Sequence, residues 1–320
     1  MGKRPPKYSA GALIKHGLTR GDWPRMWRRP EMRNSYDVVI VGAGLHGLAT
    51  AYYLAENHGI TNVAVLDKGY VGGGGSGRNT AIVRSNYRTP EGIAFYDHSV
   101  KLYEKLAGEL DYNIMFSQRG HLTLAHTERG VSGLRERALT NQLCGVNSRL
   151  IFPDEIRQHV PDMQLEGSLR YPVMAALYHP SGGIIRHDAV VWAYARGADA
   201  GGVHVHQLTE VTDLEVTDGA ISGVMTNRGR VKAGAVVNAT AGYASTIAAM
   251  AGQQIPLETH PLQAMVTEPL KPWLNPIIVS ASMHLYVSQS TRGELVAGAS
   301  LDPYELTSMR SSLAFAESLS

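Results

Sequence analysis

The residues Tyr36–Asp67 read YDVVIVGAGLHGLATAYYLAENHGITNVAVLD. Asp37–Val41 is a β-branched run, typical of a parallel strand that is buried on both faces. Gly42, Gly44 and Gly47 follow in a GxGxxG pattern. Such glycines permit a tight turn, let backbone approach a pyrophosphate, and let the next helix pack on the strand. The stretch therefore predicts a dinucleotide-binding βαβ unit of the Rossmann type.

The next predicted strand, Asn62–Leu66, ends at an acidic residue. Asp67 stands about twenty residues beyond Gly47, at the offset from which a carboxylate accepts a hydrogen bond from a ribose hydroxyl. A carboxylate here favours an unphosphorylated ribose. Asp67 and the adjoining Lys68 are therefore predicted cofactor contacts.

Length and composition predict a globular protein. With 320 residues and 44% apolar composition, the chain can bury a sizeable core and is long enough for roughly two domains, which excludes a disordered or fibrous protein. The single cysteine, Cys144, permits no internal disulfide. No signal-peptide-like segment precedes Tyr36, and the uncharged stretch Ala233–Gly252 is rich in small and polar residues. We expect a cytoplasmic protein without a membrane span, and strand, turn and helix across 233–252.

Residues 1–34 are predicted to form a basic arm. Residues 1–35 hold nine Lys or Arg and two acidic residues, a charge of +7 in a chain whose total is +2. Such cations, with Trp23 and Trp27, could contact nucleic acid. Because no nucleic-acid-binding motif follows, the arm is instead predicted to pack on its own body or on a partner subunit. Its cations include Lys3, Arg4, Lys7, Arg20, Arg25, Arg28 and Arg29.

A second glycine-rich segment, GGGGSGRN at residues 72–79, follows the βαβ unit. It would let backbone approach another part of a large cofactor, although a flexible linker is the alternative. Four short strands are then predicted before the turn Thr240-Ala241-Gly242, with a hairpin turn at Asp218-Gly219. These strands lie at residues 202–205, 211–216, 220–225 and 235–239.

This order of segments resembles the FAD-dependent amine oxidase superfamily with the D-amino-acid oxidase fold, in which such a meander ends beside the FAD. The resemblance implies an α/β fold with a Rossmann-type FAD-binding domain interleaved with a mixed-sheet α+β substrate domain. An NAD dehydrogenase would not need the second segment, and no metal is implied. The further cofactor contacts that it implies are Gly75, Arg78, Asn79, Thr80, Val211, Ala241 and Gly242.

Five motifs resemble the β subunits of heterotetrameric sarcosine oxidases, and the likeness covers essentially the whole chain. It implies non-covalent FAD, a second flavin (FMN) and oxidation of sarcosine. It also implies α, γ and δ partner subunits, of which α binds NAD and passes the one-carbon product to tetrahydrofolate. The motifs are GLATAYYLA at 47–55, RNTAIVRSNY at 78–87, FSQRG at 116–120, RYPVM at 170–174 and HPLQA at 260–264.

The resemblance also implies a covalent flavin site. In that family the FMN is attached to a histidine in a Gly-Ile-x-basic-His-Asp context, which here is GIIRHD at residues 183–188, so His187 is the predicted attachment point. A neutral imidazole nitrogen can add to the flavin 8α-methyl carbon, and a cation such as Arg186 disfavours imidazolium. Without the resemblance, the His-Asp pair is typical of an ordinary helix start.

Three residues are the predicted substrate contacts. Arg84 is the first candidate, because relatives place an arginine after the glycine loop and a guanidinium binds a carboxylate bidentately. A surface salt bridge is the alternative. Tyr286 matches a substrate-facing tyrosine of relatives, although packing within an alternating strand is the simpler interpretation. His260 is predicted to line the cavity too, although a His-Pro step is also typical of a plain turn. The protein would then orient the amine, select its neutral form and desolvate it.

The predicted FAD-binding domain comprises residues 35–100 and 181–250, and the substrate domain residues 101–180 and 251–320. A hairpin is predicted between Leu285–Val287 and Glu294–Ala297, and a helix at residues 311–320. Family members continue further, so the resemblance implies a missing C-terminal portion. If residue 320 were the end of the protein, the resemblance would further imply weak FAD retention and little turnover.

Two other functions remain open from the sequence. One is a stand-alone FAD oxidase or dehydrogenase of glycine, of dimethylglycine or of a secondary amine other than sarcosine, with no role for His187. The other is an inactive scaffold that binds flavin or partner subunits. A neighbouring reading frame for a large NAD-binding partner would favour the sarcosine oxidase interpretation.

Overall fold

Eight helices and sixteen strands lie within residues 9–19, 25–299, 301–303, 307 and 310–319, which a computed structural model describes. The helices are α1 Ala10–Leu18, α2 Leu45–His58, α3 Pro90–Glu109, α4 Glu128–Leu143, α5 Pro153–His159, α6 His187–Ala200, α7 Ala244–Met250 and α8 Leu313–Leu319. The strands are β1 Ser35–Val41, β2 Val63–Leu66, β3 Ile82–Val83, β4 Ser117–Gln118, β5 His121–Ala125, β6 Arg149–Ile151, β7 Ala175–His179, β8 Gly183–Ile184, β9 His204–His206, β10 Val211–Thr217, β11 Ala220–Thr226, β12 Gly229–Asn238, β13 Ala264–Pro269, β14 Ile277–Ser280, β15 Leu285–Gln289 and β16 Glu294–Ala299. None of these helices combines the length and apolarity that a membrane crossing requires.

The described residues fall into two compact units. The first contains those up to Val71 and Tyr194–Ala239, and the second contains Gly72–Ala193 and those from Thr240 onward. These limits differ from the predicted domain boundaries, because β3 pairs with β8 in a small sheet of the second unit. β3 and β8, which lie on either side of residues 101–180 in the chain, therefore belong to the same unit as those residues. The domain assignment itself stays a prediction.

The first unit is built on a six-stranded sheet in the order β10-β11-β12-β1-β2-β9, in which β12, β1, β2 and β9 run parallel. Val39 and Val65 are among its fully buried residues, as the β-branched pattern predicts. Gly59 caps α2, and its φ of 66° is the left-handed conformation that glycine favours. The predicted strand–glycine turn–helix–strand order is confirmed.

The meander of the first unit agrees with the prediction except at its last strand. Asp218 and Gly219 both have positive φ, 53° and 77°, in the tight turn that joins β10 to β11. β12 begins at Gly229, six residues before the predicted start at Ala235. It is longer because it pairs with β11 over its first residues and with β1 over the rest.

The second unit contains a seven-stranded sheet in the order β13-β16-β15-β14-β5-β7-β6, and a three-stranded sheet in the order β3-β8-β4. One face of the large sheet packs Leu122, Leu124 and Ala176 against α5 and Leu274. On the opposite face, Ala125 and Leu177 pack against α4. The predicted hairpin is confirmed as β15 and β16, and the predicted final helix begins at Leu313.

The described part of the basic arm packs on the first unit. Arg28 donates to the Asp199 carboxylate at 2.8 Å and to the Asp199 carbonyl at 2.7 Å, and Arg33 donates to Asn62. α1, in contrast, has no buried residue. The predicted contacts through Lys3, Arg4, Lys7, Arg20 and Trp23 lie outside the described residues.

A buried Tyr-His-His cluster joins the start of β1 to β9. The Tyr36 hydroxyl lies 3.0 Å from His204 Nδ1 and 3.1 Å from His206 Nε2, and it accepts from the Arg33 N–H. Burial, and then His204 and Arg228, lower the pKa of His206 to about 4. Burial also lowers the pKa of His204. Both histidines are therefore neutral at physiological pH.

Acid is expected to destabilise the first unit through this cluster. An unfolded histidine titrates near 6.5, so the unfolded chain binds more protons than the folded chain as pH falls from about 6.5 to about 4. Protonation linked to His206 then lowers the free energy of unfolding by up to about 3 kcal/mol. We expect the melting temperature of the native protein to fall more steeply from pH 7.5 to 5.0 than that of His206→Gln. Parallel curves for the two proteins would contradict the assignment.

Candidate functional site

The glycine turn of the first unit packs the start of α2 closely on β1, which the absence of side chains permits. Gly42 has a φ of 109°, and its N–H donates to the Leu66 carbonyl at 2.8 Å. A Cβ at Gly47 would lie 2.0 Å from the Gly42 carbonyl oxygen, so helix and strand pack too closely for any side chain. Gly44 caps α2 without a side-chain hydrogen bond. The N–H groups of the first turn of α2 thus suit a pyrophosphate, and the cradle fits a dinucleotide.

The Asp67 carboxylate lies beside this turn. Its Oδ2 accepts from the Ala43 N–H at 2.7 Å and its Oδ1 from the Gly69 N–H at 2.8 Å. Each oxygen keeps a second lone pair, so a ribose hydroxyl could still donate to it. Lys68 follows directly in the chain, and Val211 is buried at the start of β10.

In the second unit, the side chain of Asn79 closes the glycine-rich loop. Its Nδ2 donates to the carbonyls of Gly75 and Ser76 at 3.0 and 2.8 Å, and its Oδ1 accepts from the Ala81 N–H at 2.8 Å. A Cβ at Gly75 would meet open space, whereas one at Gly77 would lie 2.3 Å from the Gly72 carbonyl oxygen. The loop is therefore a folded turn rather than a flexible linker. Arg78 and Thr80 flank Asn79.

A cavity of about 270 Å³ in the second unit brings several predicted residues together. Asn79, Thr80, Arg186 and His187 line it. The hairpin of β15 and β16 supplies much of the remaining wall, including Ser288, Ser290, Arg292 and Glu294. The cavity thus combines the end of the glycine-rich loop with the start of α6.

His187 has an orphaned ring nitrogen. Its Nδ1 is buried and has no hydrogen-bond partner among the described residues. Burial lowers the pKa of His187, Asp188 raises it, and Arg186 lowers it again. Arg186 is itself paired with Asp188 at 2.6 Å, so burial rather than the predicted effect of Arg186 is the main cause. A neutral imidazole with a free nitrogen is the form that a covalent attachment requires.

Tyr286 lies next to this cavity. Its hydroxyl bonds to Thr80, and burial raises its pKa, so the phenol stays protonated. The ring crosses Gly298 on the paired strand, where a Cβ would lie 2.0 Å from the hydroxyl oxygen. Glycine at 298 therefore makes the space that Tyr286 occupies.

The predicted cofactor turn at Ala241 and Gly242 lies beside the segment that contains His260. Ala241 has a φ of 50°, and a Cβ at Gly242 would lie 2.9 Å from Thr259 Cγ2. His260 bonds through Nδ1 to the Asp302 carbonyl at 3.2 Å and lies 3.6 Å from Glu258. His260 is thus placed with Asp302, apart from the cavity that His187 lines.

Arg84 lies in a separate polar layer of the second unit. Its guanidinium stacks 4.2 Å from the centre of the Tyr87 ring, and its Nη1 donates to Asn86 Oδ1 at 3.1 Å. Burial lowers the pKa of Arg84. The described part of the chain places no carboxylate within ion-pair range of it, so the surface salt bridge considered for Arg84 does not form.

Other members of this layer were not predicted from the sequence. Arg137 donates through Nε to the Asn86 carbonyl at 2.7 Å. His121 is buried with both ring nitrogens unpartnered among the described residues, and burial lowers its pKa well below the ordinary value. His179 lies directly across from His121 on β7. Only the pairing of distant strands could have identified them, because nothing in their local sequence is distinctive.

Comparisons with known proteins agree with this geometry. The family model described as FAD dependent oxidoreductase matches residues 37–319. Sarcosine oxidase subunit beta from an Arthrobacter species is 48% identical over 87% of this chain and 69% of its own length. The subunit of the same name from Rhodobacter capsulatus is 44% identical, over 96% and 74%.

Solved structures show the same fold. L-proline dehydrogenase from P. horikoshii superposes with a TM-score of 0.83 at 28% identity, covering 90% of this chain and 76% of that one. Glycine oxidase from Geobacillus kaustophilus gives a TM-score of 0.76 at 22% identity, over 90% and 76%. The dinucleotide cradle, the mixed sheets and the match over residues 37–319 lead to one conclusion: the chain belongs to the FAD dependent oxidoreductase family, with the D-amino-acid oxidase-like fold.

Proposed function

We propose that the chain is the β subunit of a heterotetrameric sarcosine oxidase. The observation that carries the proposal is an identity of 44–48% to three proteins named sarcosine oxidase subunit beta, over 87–97% of this chain. The overall reaction is the oxidative demethylation of sarcosine to glycine, with O₂ reduced to H₂O₂ and the one-carbon unit passed to tetrahydrofolate. The protein acts in the cytoplasm with α, γ and δ subunits.

FAD is the cofactor of the family, and the first unit supplies a cradle for its pyrophosphate. Gly42, Gly44 and Gly47 allow close approach to the backbone N–H groups at the start of α2, and Asp67 binds a ribose hydroxyl. Bound FAD supplies a hydride acceptor. What the chain contributes is binding, orientation and exclusion of water. Lys68, Gly75, Arg78, Asn79, Thr80, Val211, Ala241 and Gly242 complete the proposed contacts.

His187 is the proposed attachment point of a covalent FMN. Its unpartnered Nδ1, its lowered pKa and its position in the cavity wall support this role. Bond formation between the imidazole and the flavin methyl carbon would need a free nitrogen lone pair, which imidazolium lacks; a methyl C–H bond would be lost, its proton released and its two electrons taken up by the flavin. Arg186 holds Asp188, and that ion pair limits how far the carboxylate can stabilise a proton on His187.

The proposed substrate contacts select a small amine that carries a carboxylate. Arg84 offers a guanidinium without an anionic partner in the described part of the chain, which suits a bidentate carboxylate. Tyr286, protonated and bonded to Thr80, can donate or accept at the substrate, and His260 is the third proposed contact. The protein also selects the neutral amine, because only a nitrogen with a free lone pair supports hydride loss from its methyl group.

Substitution of His187 by asparagine is expected to remove all covalently bound flavin. The chain should be co-expressed with its partner subunits and the complex precipitated in acid. The pellet is then examined for flavin fluorescence and the peptides are mapped by mass. We expect flavin on the peptide that contains His187 in the native complex and none in His187→Asn.

His98→Asn is the matched control, because His98 is exposed on α3. It should retain the covalent flavin. A folded native complex whose pellet lacks flavin would contradict the two-flavin proposal and favour a stand-alone FAD amine oxidase or dehydrogenase, a possibility that the likeness to L-proline dehydrogenase supports.

A further inference from the structure

The segment after β3 is fixed by side chains from distant parts of the second unit. Arg137, on α4, donates through Nε and Nη2 to the Asn86 carbonyl oxygen. The side-chain oxygen of Asn86 in turn accepts from Arg84 Nη1 at 3.1 Å. Arg84 also stacks on the ring of Tyr87. One asparagine thus links Arg137 to Arg84.

The residues on either side of Asn86 are held in the same way. The N–H and hydroxyl of Ser85 each lie 3.3 Å from His179 Nε2, on β7. Asn141 donates to the Tyr87 carbonyl at 2.8 Å, from α4. Three successive residues outside any helix or strand are therefore tied to a strand and a helix. Such support holds a binding group in one geometry.

The charge of this layer is unbalanced. Burial, and then Arg84 and Arg88, lower the pKa of Arg137 to about 10. No carboxylate among the described residues pairs with Arg84 or Arg137. Asn86 is fully buried, and its Nδ2 has no hydrogen-bond partner in the described structure. The layer therefore favours an anion at Arg84. A substitution that removes only the side-chain nitrogen of Asn86 would break no hydrogen bond of the described structure.

We propose that Arg137 and Asn86 are positioning residues that orient Arg84 for the carboxylate of the substrate and make the enzyme selective for carboxylate-bearing amines. This inference rests on the proposed role of Arg84 as the carboxylate contact. Asn86 acts because a neutral amide oxygen orients the guanidinium without neutralising it. Arg137 acts by fixing the Asn86 backbone with two N–H groups, a geometry that the single ammonium of lysine lacks.

Asn86→Asp tests the proposal with almost no change of shape. The new carboxylate pairs with Arg84 and competes with the substrate, so we expect KM for sarcosine, and Kd for acetate read from flavin absorbance, to rise at least about tenfold. We expect the melting temperature to be unchanged or higher, because the variant loses no bond and gains an ion pair. A purely structural role for Asn86 would leave both constants unchanged.

Arg137→Lys is the second variant, and Arg135→Lys, on the exposed side of the same helix, is its control. We expect Arg137→Lys to raise KM about threefold to tenfold with kcat within about twofold, and Arg135→Lys to match the native complex. All variants are measured in the co-expressed complex beside Arg84→Gln. If Arg84→Gln weakens acetate binding but Asn86→Asp and Arg137→Lys do not, the inference is overturned and the proposed function stands. If Arg84→Gln changes neither KM for sarcosine nor acetate binding, Arg84 does not bind the carboxylate, and the inference that rests on this role is wrong as well.

Discussion

Alanine at Gly47 is expected to abolish FAD binding by the chain. The added Cβ would lie 2.0 Å from the Gly42 carbonyl oxygen and 3.3 Å from Ile40 Cγ2. The first contact is with backbone, so it cannot be relieved by a side-chain rotation. Either α2 moves away from β1 or the turn opens, and both changes displace the N–H groups that face a pyrophosphate. We expect a destabilisation of at least about 3 kcal/mol and a loss of FAD affinity of at least about a hundredfold.

The measurement is the FAD content of the purified complex, read from the absorbance of the flavin that acid precipitation releases, with the melting temperature of the complex. Gly108→Ala is the matched control, because Gly108 lies in α3 and an added Cβ would meet open space. That substitution should leave FAD content unchanged and stabilise slightly, by up to about 1 kcal/mol. Stoichiometric FAD in Gly47→Ala would show that the turn is not the pyrophosphate site.

Glutamine at Arg84 is expected to raise KM for sarcosine about a hundredfold. A bidentate guanidinium–carboxylate contact in a buried site contributes about 3 kcal/mol to the binding free energy. Glutamine has neither the positive charge nor the two parallel N–H donors of arginine. The loss should appear in the binding of carboxylates, so acetate should inhibit the variant correspondingly less. Steady-state kinetics and flavin-monitored titration of the complex measure both effects.

Arg88→Gln is the control for this change, because Arg88 is an exposed cation four residues further along the chain. It should change KM by less than about twofold, since exposed charges are screened by solvent. If Arg84→Gln left KM within twofold of the native value, the carboxylate would have to bind elsewhere in the protein.

Much of the fold could be predicted because its signals are local. The β-branched run before Gly42, the third glycine at Gly47 and the capping Gly59 each act within one turn or strand, and the structure contains all three features where expected. Asp218-Gly219 likewise encodes its hairpin in two residues. Where pairing is long-range, prediction was less complete. β12 begins six residues early because its extent depends on two neighbouring strands.

The site was predictable to a smaller degree. His187 and Thr80 could be singled out by motif, and they line one cavity. The main cause of the lowered pKa of His187 could not be predicted, because burial is a property of the folded chain. Its effect on this pKa outweighs that of the adjacent Arg186. Arg137 lies 51 residues from Asn86 in sequence, so no spacing could reveal their bond. Such residues act only through the packing of α4 on the large sheet.

Anaerobic reduction of the flavin by sarcosine is the direct test of the proposed reaction. The native chain is assembled with its partner subunits, made anaerobic, mixed with sarcosine and followed at the flavin absorbance maximum. We expect rapid bleaching that saturates with sarcosine. Admission of O₂ should restore the absorbance with formation of H₂O₂, and Arg84→Gln should shift the bleaching to much higher sarcosine concentrations. A complex that holds its flavin and keeps full absorbance in saturating sarcosine would contradict the proposed reaction.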